Sequence, residues 1–171
     1  MAASSRDRPQ PELLEWLRTH GVDYEIHEHA QVFTAERTAR AEGIAERTFA
    51  KVVGVITDDG RRALLVLDAP DRVDLDKARE VLGASSVRVL SEKELQELAP
   101  DCDAGAIPAI GTLFGLPMHV DYAVEDDPEI SFNAGTHRHT VRVDRADWER
   151  AAGVHYVDLA VAGDRSPAWA R

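Results

Sequence analysis

Lys51 lies within Phe49-Ala50-Lys51-Val52-Val53-Gly54-Val55-Ile56, where its neighbours are apolar on both faces of a prospective strand. An ammonium is costly to bury there without an anionic partner. Two readings follow: a fixed positive charge that does electrostatic work, or a strand-end lysine whose head reaches water along its methylene stem. Gly105-Ala106-Ile107-Pro108-Ala109-Ile110-Gly111 is a neutral loop. Its glycines allow close backbone approach, so its amides could face a carbonyl or a terminal nucleotide, with Pro108 as a stiffener. An ordinary connector uses the same turn residues. Histidines recur at alternate positions: His27 with His29, His119 with Asp121, and His137 with His139. Alternate residues share a strand face, so such pairs could contribute to a metal site. No third ligand stands at a diagnostic spacing, and histidines at strand ends read equally as surface residues. Cys102 lies between Asp101 and Asp103, whose charges raise a thiol pKa, so it reads as structural rather than nucleophilic.

The familiar catalytic signatures are missing: no Gly-x-Ser-x-Gly elbow, no phosphate-binding Walker loop, no Gly-x-Gly-x-x-Gly after a strand, no His-Glu-x-x-His. With 171 residues, 44% hydrophobic and 30% charged, the chain suits one globular domain. A single cysteine permits no intramolecular disulfide, and no secretory leader opens the sequence, so a reducing, cytoplasmic setting is expected. Apolar runs fall short of the roughly 20 residues that span a bilayer. The net charge of −11 opposes nonspecific adhesion to nucleic acid. That charge is uneven. Residues 31–65 hold six Lys/Arg against five Asp/Glu, and residues 66–171 hold eleven against twenty, so an RNA-facing surface belongs in the first stretch.

These residues must be placed by secondary structure. Residues 1–10 carry no apolar periodicity and read as a disordered leader. Leu13, Leu14, Trp16 and Leu17 have helical spacing, which predicts a helix over 11–20 that stops at Gly21. Val22, Tyr24 and Ile26 alternate with polar residues as in a half-buried strand. Thr34 caps a second helix through Glu42. Phe49 to Thr57 and Arg61 to Leu67 form a hairpin about Asp59-Gly60. Asp74 opens a helix ending near Gly83, Val87 to Leu90 is a strand, and Ser91 with Glu94 makes a capping box for a helix closed by Pro100. Strands are expected at 118–123, 129–133 and 140–143, with a helix at 146–152. Strands and helices mix without strict βαβ alternation, which predicts an α+β domain over 11–153, a mixed sheet with helices packed around it. Residues 154–171 are expected to add a strand over 154–161 and a loose tail.

In order along the chain, Phe49-Ala-Lys-Val-Val, the Gly105–Gly111 loop, Gly115-Leu-Pro-Met-His-Val-Asp121 and Phe132-Asn-Ala-Gly-Thr-His137 resemble the YbaK/prolyl-tRNA-synthetase-associated domain. The likeness runs from about Tyr24 to Gly153. It implies a partly barrel-shaped mixed sheet and hydrolysis of the ester between a wrong, small amino acid and its tRNA, with no metal or other cofactor. By that resemblance Lys51 is the essential lysine. Gly105, Ala106, Ile107, Pro108 and Gly111 hold the terminal adenosine and the aminoacyl carbonyl, and Gly135 and His137 border the pocket. The family is thought to recruit a hydroxyl of the terminal ribose to help activate water, which suits a chain lacking an evident nucleophile. The implied partner is the 3′ end of a mischarged tRNA, delivered alone or with an aminoacyl-tRNA synthetase or elongation factor, and no membrane is involved. Many relatives carry a second proline at the position of Ala109, so this loop is expected to be looser, which leaves the choice of amino acid open. Two other readings stand beside this one: a non-catalytic module of the same fold that grips tRNA ends or a synthetase, and a metal-dependent small-molecule hydrolase built on the histidine pairs.

Overall fold

The computed structural model describes residues 7–29, 38 and 48–161. Helix α1 (Pro11–Thr19) begins on proline, whose fixed φ suits the first helical turn, and buries Leu13 and Leu17, four residues apart on one face. Strand β1 (Tyr24–Glu28) follows. Strands β2 (Ala50–Thr57) and β3 (Arg62–Asp68) form the expected hairpin, paired from Ala50–Asp68 to Ile56–Arg62. Gly60 turns it with φ of +85°, and the Thr57 and Gly60 N–H groups close it. Helix α2 (Leu75–Leu82) is capped by the Asp74 carboxylate and ended by Gly83 at φ +62°. Strand β4 (Val87–Val89) leads into α3 (Glu92–Leu98), which carries the complete Ser91–Glu94 capping box. A 3-10 turn at Gly111–Phe114 precedes β5 (Met118–Asp121), and another at Tyr122–Asp126 precedes β6 (Glu129–Thr136). Strand β7 (His139–Asp144), helix α4 (Arg145–Ala152) and a short β8 (Tyr156–Val157) complete the described chain.

The strands form two sheets. One has the order β4-β2-β3-β5-β8, with β3, β5 and β8 parallel and the other pairings antiparallel; the second is the antiparallel β1-β7-β6. A parallel bridge from Phe49 to Ser131 joins them. Ala63 to Asp68 are all buried, as a central strand covered on both faces requires. Leu64 and Val66 join a large core with Leu17, Phe132, Val141 and Trp148. Leu65 and Leu67 face a smaller core with Val55, Ala78 and Leu159. Each such leucine contributes roughly 2 kcal/mol by burial, so β3 anchors both cores at once.

The α+β class and the mixed sheet stand as expected, while three local readings change and one falls outside the described residues. The helix over 34–42 lies outside the described residues, apart from Thr38, which is helical and buried. Ile26 is 43% exposed despite its alternation with polar neighbours. Its strand lies at the margin of the three-stranded sheet, where only the Val22–Tyr24 end meets the large core. Strand β6, expected to end at Asn133, runs on to Thr136, with a bulge between Asn133 and Thr136. The strand expected over 154–161 shrinks to Tyr156–Val157 plus one bridge, Val73–Ala160. The cause is Asp121, whose Oδ1 takes the N–H groups of Leu159 (2.9 Å) and Ala160 (3.1 Å), replacing a backbone ladder with a side chain. Among the described residues no helix is long and apolar enough to cross a membrane.

Candidate active site

The loop from Asp103 to Gly111 is pinned to the end of β6 by its backbone. The Asp103 N–H donates to the Gly135 carbonyl at 2.8 Å, and the Gly135 N–H donates to the Ala106 carbonyl at 3.0 Å. On the other side of this segment the Gln10 N–H donates to the Ala134 carbonyl at 2.8 Å. Gly135 has φ of +91°, and a Cβ there would stand 2.8 Å from Gln10 Cβ and 3.5 Å from Cys102 Sγ. Only glycine fits this junction. Asp103 adds a second tie, because its Oδ2 accepts the His137 backbone N–H at 3.0 Å while its carbonyl accepts the Ala106 N–H at 3.0 Å.

Side chains finish the frame. The His137 Nε2 lies 2.9 Å from the Ala104 carbonyl, an acceptor only, so that nitrogen carries the proton. Asn133 Nδ2 donates to the Gly105 carbonyl at 3.4 Å. Its Oδ1 is buried and has no hydrogen-bond partner among the described residues. Trp148, fully buried, donates its Nε1–H to the Ala109 carbonyl at 2.8 Å.

Gly105, Ala106, Gly135 and His137 thus meet in one place. Ile107, Pro108 and Gly111 belong to the same loop but are buried in it, and a Cβ on Gly111 would sit 2.5 Å from the Leu116 carbonyl oxygen. Ala109, where a looser loop is expected, is fully buried, and its carbonyl accepts the Trp148 Nε1–H. Among the described residues the N–H groups of Ile107, Ala109 and Gly111 donate to no backbone carbonyl. Lys51 is half-buried on β2, in register with Leu67, two residues beyond the Phe49 that bridges to β6. Sequence reasoning missed Asn133 and Asp103 as site residues. Both stand in or beside the quoted motifs, yet only the fold shows that they hold the loop.

The histidine pairs do not assemble as their spacing suggested. Asp121 is engaged with the N–H groups of Ala123, Leu159 and Ala160. His139 is buried against Thr136 Oγ1 at 2.7 Å, and burial, the largest cause, pushes its pKa down. His27 lies 3.4 Å from Glu25. His119 instead meets His155, with Nδ1 and Nε2 3.0 Å apart; burial and then that neighbour lower its pKa. Among the described residues no group of three or more His, Cys, Asp or Glu could hold a metal ion.

The structure is an α+β domain in which the Asp103–Gly111 loop is tied to the end of β6 by backbone hydrogen bonds. Solved structures share this fold. The chain superposes on a candidate trans-editing enzyme for prolyl tRNA synthetase with a TM-score of 0.78 at 23% identity, covering 95% of this chain and 100% of that one. It superposes on the hypothetical protein APE2540 with a TM-score of 0.77 at 19% identity, covering 88% and 99%. A scaffold protein used for epitope backbone grafting gives a TM-score of 0.77 at 22% identity, covering 95% and 100%. No curated protein has a significantly matching sequence. Residues 29–151 match the aminoacyl-tRNA editing domain, and the chain belongs to that family.

Proposed function

We propose that this protein is a trans-editing deacylase that hydrolyses the ester between a small, wrongly attached amino acid and the 3′ end of tRNA. The observation that carries this reading is the match to the editing family over residues 29–151. Water adds to the ester carbonyl, and collapse of the tetrahedral intermediate releases the free amino acid and a tRNA with its terminal hydroxyl restored. The N–H groups of Ile107, Ala109 and Gly111, which donate to no backbone carbonyl among the described residues, are candidate donors to the carbonyl oxygen as it gains charge. The Asn133 Oδ1 is an acceptor beside the same loop, suited to the substrate α-ammonium or a ribose hydroxyl. Lys51 supplies a fixed positive charge for phosphate or carbonyl oxygen. No protein nucleophile is needed when a ribose hydroxyl helps to activate the water, and no metal takes part. Small substrates fit the logic of editing, since a synthetase pocket separates amino acids differing by one methylene by only about 1–3 kcal/mol.

Deacylation of a panel of tRNAs mischarged with small amino acids tests the reading. At least one is hydrolysed at a rate that EDTA leaves unchanged. Lys51→Ala lowers that rate by roughly two orders of magnitude, the scale of one preorganised electrostatic group, while the melting temperature is held. Absence of turnover across the panel, or loss on chelation with recovery on zinc, overturns it.

A further inference from the structure

His119 and His155 are brought together by the parallel pairing of β5 with β8, one step before the Val120–Tyr156 pair. Their rings meet edge to face, with centroids 5.0 Å apart and planes at 82°. The chain contains seven histidines, yet this is where two imidazoles come within hydrogen-bond distance among the described residues. His119 is half-buried and held by a central strand, while His155 is exposed and open to solvent. We propose that His119 Nδ1 and His155 Nε2 form a two-imidazole site for a divalent first-row transition ion, outside the deacylation cradle, that ties the C-terminal strand to β5.

The two nitrogens are close enough to share one ion: imidazole binds such metals at about 2.0–2.1 Å, and two nitrogens 3.0 Å apart would subtend roughly 95° at it. Neighbouring positions of a tetragonal or octahedral centre offer that angle, and imidazole ligands suit Ni²⁺ and Cu²⁺ as well as Zn²⁺. Water fills the remaining positions. The proton between the rings does not block binding: the ring that donates moves its N–H to its other nitrogen, the ring that accepts already presents its lone pair, and no net proton is released. The chain's charge of −11 adds a general attraction for cations.

Titration of the metal-stripped full chain with Ni²⁺, followed by calorimetry and by melting temperature, tests the site. Wild type takes up a saturable equivalent that raises the melting temperature. His155→Ala and His119→Ala each lose that equivalent and that rise, while deacylation is unchanged in His155→Ala. Since His155 is exposed, its substitution leaves the fold in place and decides the matter even if His119→Ala is unstable. Failure of wild type to bind, or retention of the equivalent by His155→Ala, overturns the site without touching the deacylase reading.

Discussion

Replacing Gly135 by alanine probes the junction between loop and sheet. At φ of +91° an L residue is strained, by about 1–2 kcal/mol on the scale of left-handed backbone. The new methyl would stand 2.8 Å from Gln10 Cβ, well inside the roughly 3.5–4.0 Å at which carbons pack. Gln10 must retreat, and its N–H bond to the Ala134 carbonyl stretches from 2.8 Å, which costs about 1 kcal/mol more. The sum is roughly 2–3 kcal/mol. For a domain of this size each kcal/mol moves the melting temperature by about 2–4 °C, so a fall of about 5–10 °C is expected. Gly60→Ala is the control, because Gly60 has φ of +85° but nothing within 4 Å of the added methyl. It should lose only the strain, about half the effect. Thermal unfolding of both variants by circular dichroism gives the comparison. If Gly135→Ala melts no lower than Gly60→Ala, the argument that this glycine is required by its neighbours is wrong.

Asp121→Ala strands the buried N–H groups of Leu159 and Ala160, at about 1–3 kcal/mol each, and chemical denaturation should show a loss of roughly 2–5 kcal/mol with the C-terminal segment detached from the sheet. An unchanged midpoint would dismiss Asp121 as the anchor of that segment. Asn133→Ala should slow deacylation by roughly 10–100-fold, the worth of one hydrogen bond to a charged group, and, because its Nδ2 also holds the Gly105 carbonyl, cost about 1 kcal/mol of stability; equal rates would remove Asn133 from substrate binding. The Arg88 guanidinium, then the Ser91 N–H, hold the Glu94 carboxyl down at about 2 from its ordinary 4.5. The folded state therefore binds this proton less readily than the unfolded one, so the contribution of Glu94 is complete above about pH 4.5 and is lost as pH falls toward 2. Melting curves of wild type and Glu94→Gln should differ near neutral pH and converge toward pH 2, and a gap independent of pH would refute the assignment.

What the sequence reveals about the fold follows from how local each signal is. The hairpin, the Asp74 cap and the Ser91–Glu94 box depend on residues within a few positions of each other, and all three form as read. The C-terminal strand is shorter than its apolar pattern implies, because that pattern says nothing of Asp121, some forty residues earlier, which competes for its N–H groups. The histidine pairs failed for a similar reason: alternation places two side chains on one face but does not reveal the neighbouring strand, and His119 found its partner on β8. In the candidate site the glycines were legible because their chemistry is singular. Asn133 and Asp103 were not, since their roles depend on which backbone groups the fold brings beside them.

The two faces of the five-stranded sheet separate the proposed activities. On β5, Met118 and Val120 enter the large core that also holds Ile107, Ala109 and Trp148, the apolar support of the loop. His119, between them, points the other way, in register with Leu65 of the smaller core. A close-packed sheet transmits a side-chain change on one face to the other only by moving backbone, and β3 is held by a strand on each side. Cross-linking His119 to His155 closes parallel strands already in register and asks for little backbone movement, so occupancy of that site should stiffen the C-terminal edge while leaving the loop and β6 as they are. The cradle, by contrast, is sensitive from its own side. Gln10 and Trp148 touch the loop or its partner strand directly, and Gly135 lies in that strand; a shift of about 1 Å in positioning groups can cost about 100-fold in rate, the scale on which the proposed deacylation should respond to changes here.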